Sequence, residues 1–166
     1  MNALQLTPAS YISFLVLYRY YDRRYQALFG NAFSQGSTVQ NEQGVYMGLQ
    51  LTPLARWKLS IYADLFRFPW LKYGIDAPSG GQEYMAQIDY TPSRNYSAYL
   101  RYKYRQKEKN RTFENDNLLR INSYKQHRIR FQQVYNFSSP FIFKTSLDGI
   151  LFDDPIKKLN KGIMTV

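Results

Sequence analysis

No cysteine occurs among the 166 residues, so disulfides, thiolate metal sites and cysteine nucleophiles are excluded. Histidine is almost as scarce. His127 stands alone between Gln126 and Arg128, with no Ser or Asp motif that would make a nucleophilic triad. No glycine-rich phosphate loop is present, and no His or acidic cluster has metal-ligand spacing. The nearest acidic pair, Asp153-Asp154 before Pro155, reads as a turn. These absences predict no enzymatic activity, no cofactor and no metal. Long apolar runs are missing too. Phe14 to Leu17 with its tyrosine neighbours falls far short of the roughly 20 residues of a spanning helix. The residues after Met1 lack the basic segment and apolar core of a signal peptide. Acid is in deficit, with 12 Asp and Glu against 22 Lys and Arg, a net charge of +10 that admits anionic lipid or nucleic acid as partner.

What the chain does have is aromatic side chains: 16 Tyr, 11 Phe and 2 Trp, or 17% of residues. It also repeats a punctuation. Leu4-Gln-Leu-Thr-Pro8, Leu49-Gln-Leu-Thr-Pro53, Ile88-Asp-Tyr-Thr-Pro92 and Tyr135-Asn-Phe-Ser-Ser-Pro140 each close an alternating run, and another run follows at once. A mean hydropathy of −0.49 does not oppose a membrane-embedded sheet, because such strands meet lipid only at every second residue. Folding the second unit about Thr52 to Arg56 sets Leu51 opposite Trp57, Leu49 opposite Leu59 and Met47 opposite Ile61. The third unit sets Tyr90 against Tyr96 and Ile88 against Ala98, the fourth Tyr135 against Phe143 and Arg130 against Asp148, and the first Leu6 against Ile12. One face is then aliphatic and the other polar, as period-two strands in antiparallel hairpins require.

Seven strands are predicted (10–20, 43–52, 56–67, 82–91, 95–106, 126–137 and 141–151), with a partial strand at the N-terminus and another beginning near Gly162. The expected fold is all-β, an antiparallel up-and-down meander of seven to nine strands in a single domain over 1–166. It would be a transmembrane β-barrel or part of one. Tyr21 to Gln43, Phe68 to Gln82 and Lys107 to Lys125 are polar and read as long loops at one rim, opposite the tight turns. The aliphatic face gives lipid-facing candidates Val45, Met47, Leu49, Leu51, Leu59, Ile61, Ile88, Leu100, Ile129 and Phe131. The polar face gives lumen-facing candidates Lys58, Asp64, Gln87, Asp89, Arg101, Lys103, Arg128, Arg130, Lys144 and Asp148. Trp57, Tyr90, Tyr96, Tyr135 and Phe141 gather at the tight-turn ends, and Tyr84 and Tyr102 at the long-loop ends. Two aromatic belts around an aliphatic middle suit two bilayer interfaces.

Several stretches resemble the C-terminal β-barrel region of helix-hairpin-helix-containing outer-membrane proteins of Bacteroidetes. They are Leu28-Phe-Gly-Asn-Ala-Phe33, Asn41-Glu-Gln-Gly-Val-Tyr46, Trp57 to Tyr73, Ile75-Asp-Ala-Pro-Ser79, Asp89 to Asn95 and Arg105 to Asn110. The resemblance covers most of residues 10 to 150 and is most specific between Trp57 and Tyr73. It implies an outer-membrane barrel with no catalytic residues. The helix-hairpin-helix module is absent, so the resemblance implies a fragment of a larger barrel. The partners expected are outer-membrane lipid, lipopolysaccharide at Arg105 to Arg111 with Arg19, Arg23 and Arg24, and the remainder of that barrel.

Two other readings compete. A soluble antiparallel β-barrel would turn the aliphatic stripe inward around an apolar ligand. A nucleic-acid binder would use Tyr99 to Arg105, but alternation puts the bases on one face and Tyr102 and Tyr104 on the other, so no stacking platform forms. No nucleic-acid partner is expected.

Overall fold

The computed structural model describes residues 1–25, 33–36, 38–113, 116–138, 141–153 and 160–165. Residues 28–32 of the first family-like stretch, the Ser139-Pro140 turn and the Asp154-Pro155 step lie outside them. Nine strands form one antiparallel sheet in sequence order: β1 (Asn2–Ala9), β2 (Ile12–Tyr21), β3 (Glu42–Leu54), β4 (Trp57–Phe68), β5 (Ser79–Ser93), β6 (Tyr96–Phe113), β7 (Asp116–Ser138), β8 (Phe141–Asp153) and β9 (Asn160–Thr165). It is the expected meander, with whole strands at both ends. Among the described residues β1 and β9 do not pair with each other, so the sheet is open.

The turns explain the register. In the three Thr-Pro hairpins the reversal falls two residues beyond the proline, at Ser10-Tyr11, Ala55-Arg56 and Arg94-Asn95. Arg56 takes φ 82°, the left-handed conformation that such a short reversal demands of one residue. The ladder slips by one residue between Leu6 and Ala9, between Leu51 and Leu54, and between Tyr90 and Ser93, where the Thr-Pro pair sits. Proline has no N–H for the ladder, and a bulge is where it is tolerated. The expected pairings are therefore displaced by two residues. Leu51 faces Leu59 rather than Trp57, Leu49 faces Ile61, Ile88 faces Leu100, and Leu6 faces Phe14. A shift of two leaves every side chain on its predicted face. The fourth hairpin lacks the Thr-Pro pair ahead of its turn, and its pairings are as predicted: Tyr135 with Phe143, Arg130 with Asp148.

A second correction concerns 107–125. Its described residues, 107–113 and 116–125, are strand rather than loop. β6 and β7 continue past the other strands as one ladder, from Lys107 opposite Tyr124 to Thr112 opposite Leu119. Backbone hydrogen bonds hold such a ribbon whatever its side chains, so its hydrophilic sequence did not announce it.

Candidate functional site: the polar face of the sheet

Following the registers across the sheet gives one uninterrupted row: Leu6, Phe14, Leu49, Ile61, Ala86, Tyr102, Ile129, Gly149 and Ile163. On that face many of the described side chains lie in the open. Leu6 is 54% and Ile129 50% exposed, and Met47, Ile61, Ile88 and Leu100 are exposed as well. Val45, Leu49, Leu51, Leu59 and Phe131 are half-buried beside them. The belts flank this band. Trp57 packs on Tyr90 at 4.4 Å and Tyr96 on Tyr135 at 6.2 Å near the tight turns, with Phe141 exposed. Near the long loops Tyr84 stacks on Tyr104, and the Tyr102 hydroxyl lies 2.8 Å from His127 Nδ1.

The opposite face reverses the usual order of a water-soluble protein. Arg19 and Glu42 are fully buried and Asp64 is 1% exposed. Arg19, two residues from the end of β2, reaches over Gly44 on β3. A Cβ there would stand 2.6 Å from its guanidinium carbon, so glycine makes the space. Arg19 donates Nε to Glu42 at 2.5 Å and clamps Asp64 with Nη1 and Nη2 at 2.7 and 3.2 Å. The chain after β2 folds onto this cluster. Ser34 Oγ and the backbone N–H groups of Gln35 and Gly36 donate to Glu42. Gln35 Nε2 donates to Asp64 at 2.7 Å, and Phe33 covers Arg19 at 5.0 Å. The carboxylates are thus satisfied from every side, which buried charge requires. Arg19 is consequently not at the rim for lipopolysaccharide, contrary to the sequence reading. Arg23, which packs against the Trp70 ring, and Arg24 do remain exposed.

Asp64 faces Glu83 directly across β4 and β5, a like-charge pair relieved by separate partners. Glu83 is held by Lys103 at 2.8 Å, Arg105 at 2.5 Å and the Tyr62 hydroxyl at 2.6 Å. Further along, Asp148 on β8 accepts from Arg128 Nε and Nη2 at 3.0 and 2.9 Å, and from both Nε and Nη2 of Arg130. Arg101 donates to Gln87, which donates to Asp89 at 2.6 Å. Lys58 and Lys144 share this face at the tight-turn end and are exposed. All ten polar candidates therefore lie on one side of the sheet. Arg19, Glu42 and Glu83 complete the cluster; Glu42 and Glu83 were not singled out in the sequence, and Arg19 was read only as a rim cation. Glu83 shares its parity with Gln87 and Asp89, which was the available signal. Arg19 alternates with Leu15 and Leu17, so its face looked apolar.

Beyond the girdle tyrosines, Lys72, Lys107 and Lys109 sit on aromatic rings, the last 5.1 Å from the centre of Tyr124. Lys72 Nζ lies 3.3 Å from the Phe68 ring centre, and Lys107 Nζ lies 5.3 Å from that of Phe66 and donates to the Gln35 carbonyl at 3.1 Å. Burial lowers the Lys72 pKa and pushes Lys107 down to about 8. Among the described residues no group of three acidic or His side chains is placed to hold a metal.

The geometry defines the class: an all-β antiparallel meander that seals Arg19, Glu42, Asp64 and Glu83 on its charged side and leaves Leu6, Ile61, Ile88 and Ile129 exposed on its aliphatic side. No family model matches the chain, and no curated protein or solved structure is significantly similar to it.

Proposed function

We propose that this chain is part of an integral β-barrel of a Gram-negative outer membrane, in the structural or transport class and without catalytic activity. Its aliphatic face meets acyl chains, and its polar, basic-leaning face encloses water. The observation that carries this reading is the inversion just described: Arg19, Glu42 and Asp64 are covered while Leu6, Ile61, Ile88 and Ile129 are bare. In water the exposed row would cost about 25 cal/mol for each Å² of apolar surface, and among the described residues no second layer covers it. In hydrocarbon that cost vanishes. The paired aromatic belts at the two ends of the band and the resemblance of Trp57 to Tyr73 to Bacteroidetes barrels support the same environment. The soluble-barrel alternative needs the aliphatic stripe inside, opposite to the exposures observed. The edges of β1 and β9, unpaired among the described residues, suit the remainder of a larger barrel as partner, because an open edge invites further strands.

The chain's lack of cysteine makes the test clean. Single-cysteine variants Ile61→Cys, Ile88→Cys, Ser60→Cys and Gln87→Cys are treated in native membranes with a charged, membrane-impermeant maleimide. Ser60→Cys and Gln87→Cys should react while Ile61→Cys and Ile88→Cys react only after denaturation. The opposite pattern would discard the membrane reading.

A further inference from the structure

The polar side of β6 and β7 is electrostatically unfinished. Arg101 stands directly opposite Arg130 and Lys103 directly opposite Arg128, two adjacent like-charge cross-strand pairs, with Arg105 and Lys107 next along β6. Like charges in register destabilise a ladder unless something sits between them. Against these six cations the described residues set two carboxylates, Glu83 and Asp148, an excess of four positive charges. The bases are also within reach of water. Lys103, Arg105, Arg128 and Arg130 are 29 to 37% exposed, whereas the carboxylates beneath them are nearly sealed. Between the strands Lys103, Arg105, Gln126 and Arg128 line a hollow of about 90 Å³.

The donor inventory shows what the hollow accepts. Glu83 takes Arg105 through Nε, and Asp148 takes Arg128 through Nε and Nη2. Among the described residues the two terminal nitrogens of Arg105, Nη1 of Arg128 and the side-chain amide of Gln126 make no protein hydrogen bond. Lys103 retains two of its three N–H donors. Guanidinium forks and an ammonium converging without an acceptor are the complement of a multi-oxygen anion, and phosphate matches the fork geometry.

We propose that this hollow binds phosphate oxyanions, either free phosphate or a phosphoryl group on a solute, and that such an anion relieves the Lys103–Arg128 opposition. The inference deepens the membrane reading, on which it rests for its water-filled polar face. Glu83 and Asp148 act as internal competitors that hold the bases in place.

The test is a titration of the full chain in detergent micelles with inorganic phosphate and, separately, methyl phosphate, followed by ³¹P NMR. Saturable binding is expected. Arg105→Gln and Arg128→Gln should each weaken it about tenfold, the size of one charge-assisted contact, while Arg94→Gln at the tight turn leaves it unchanged. Glu83→Gln should tighten it several-fold by releasing Lys103 and Arg105, a direction that misfolding cannot produce. Preference for methyl phosphate assigns the site to phosphorylated solutes, and preference for inorganic phosphate to the free ion. A linear, non-saturating response overturns the proposal, as does weakening by Glu83→Gln in a protein with unchanged β circular dichroism. The cysteine labelling reads orientation independently. Phosphate binding with a maleimide-reactive Ile61→Cys keeps the site and discards the membrane, and the converse discards the site alone.

Discussion

The two halves of the polar face carry the same kinds of side chain and treat them oppositely. From β2 to β4 one arginine serves two carboxylates, residues 33–36 close over them, and no solvent reaches the charges. From β6 to β8 one carboxylate serves two arginines, each about one-third exposed. The first arrangement is a structural knot, since buried ions are tolerated only when each is fully paired. The second leaves donors over, and surplus donors in reach of water are available for a ligand. Position on a common face therefore does not settle a charged residue's role. The ratio of donors to acceptors around it does.

The largest effect separates the halves directly. Arg19→Met strands two sealed carboxylates and should cost about 3–5 kcal/mol, whereas Arg130→Met, with Arg128 still on Asp148, should cost under about 1 kcal/mol. Urea unfolding of the detergent-solubilised protein measures both, and equal losses would abolish the distinction. Next in size is a substitution on the outer face, where the halves should agree. Ile61→Lys and Leu147→Lys should each cost about 2–4 kcal/mol in a bilayer and almost nothing in water. A loss at only one of them would mean that the halves do not share an environment. The smallest effect probes a tie between the regions, Lys107 on the Gln35 carbonyl. Burial sets the folded-state pKa of Lys107 near 8, below its ordinary 10.5, so between these values the unfolded chain binds more protons. Stability should therefore gain with rising pH from about 8 to about 10.5 relative to Lys107→Met. A wild-type difference that stays flat across this window would detach Lys107 from the 33–36 segment.

Much of the sheet was legible from residue pattern. Hairpin positions followed from Thr-Pro spacing, and face assignment survived even where pairing partners moved, as at Leu49 and Ile88. The buried charges escaped for identifiable reasons. Glu42 and Arg19 sit where strands pass into a connection, so hydrophobic alternation has stopped guiding the eye. Their burial depends on Gly44 yielding space and on Ser34 to Gly36 folding back, contacts distant in sequence. The β6–β7 extension escaped because main-chain pairing needs no apolar stripe, and Gln106 to Lys125 has none.

By itself the sequence determined which side chains share a face, because a strand's period of two is local and indifferent to what it pairs with. Only tertiary structure decided which face is covered. That choice depends on how nine strands and a returning segment are arranged around Arg19, Asp64 and Asp148, and no stretch of residues contains that arrangement.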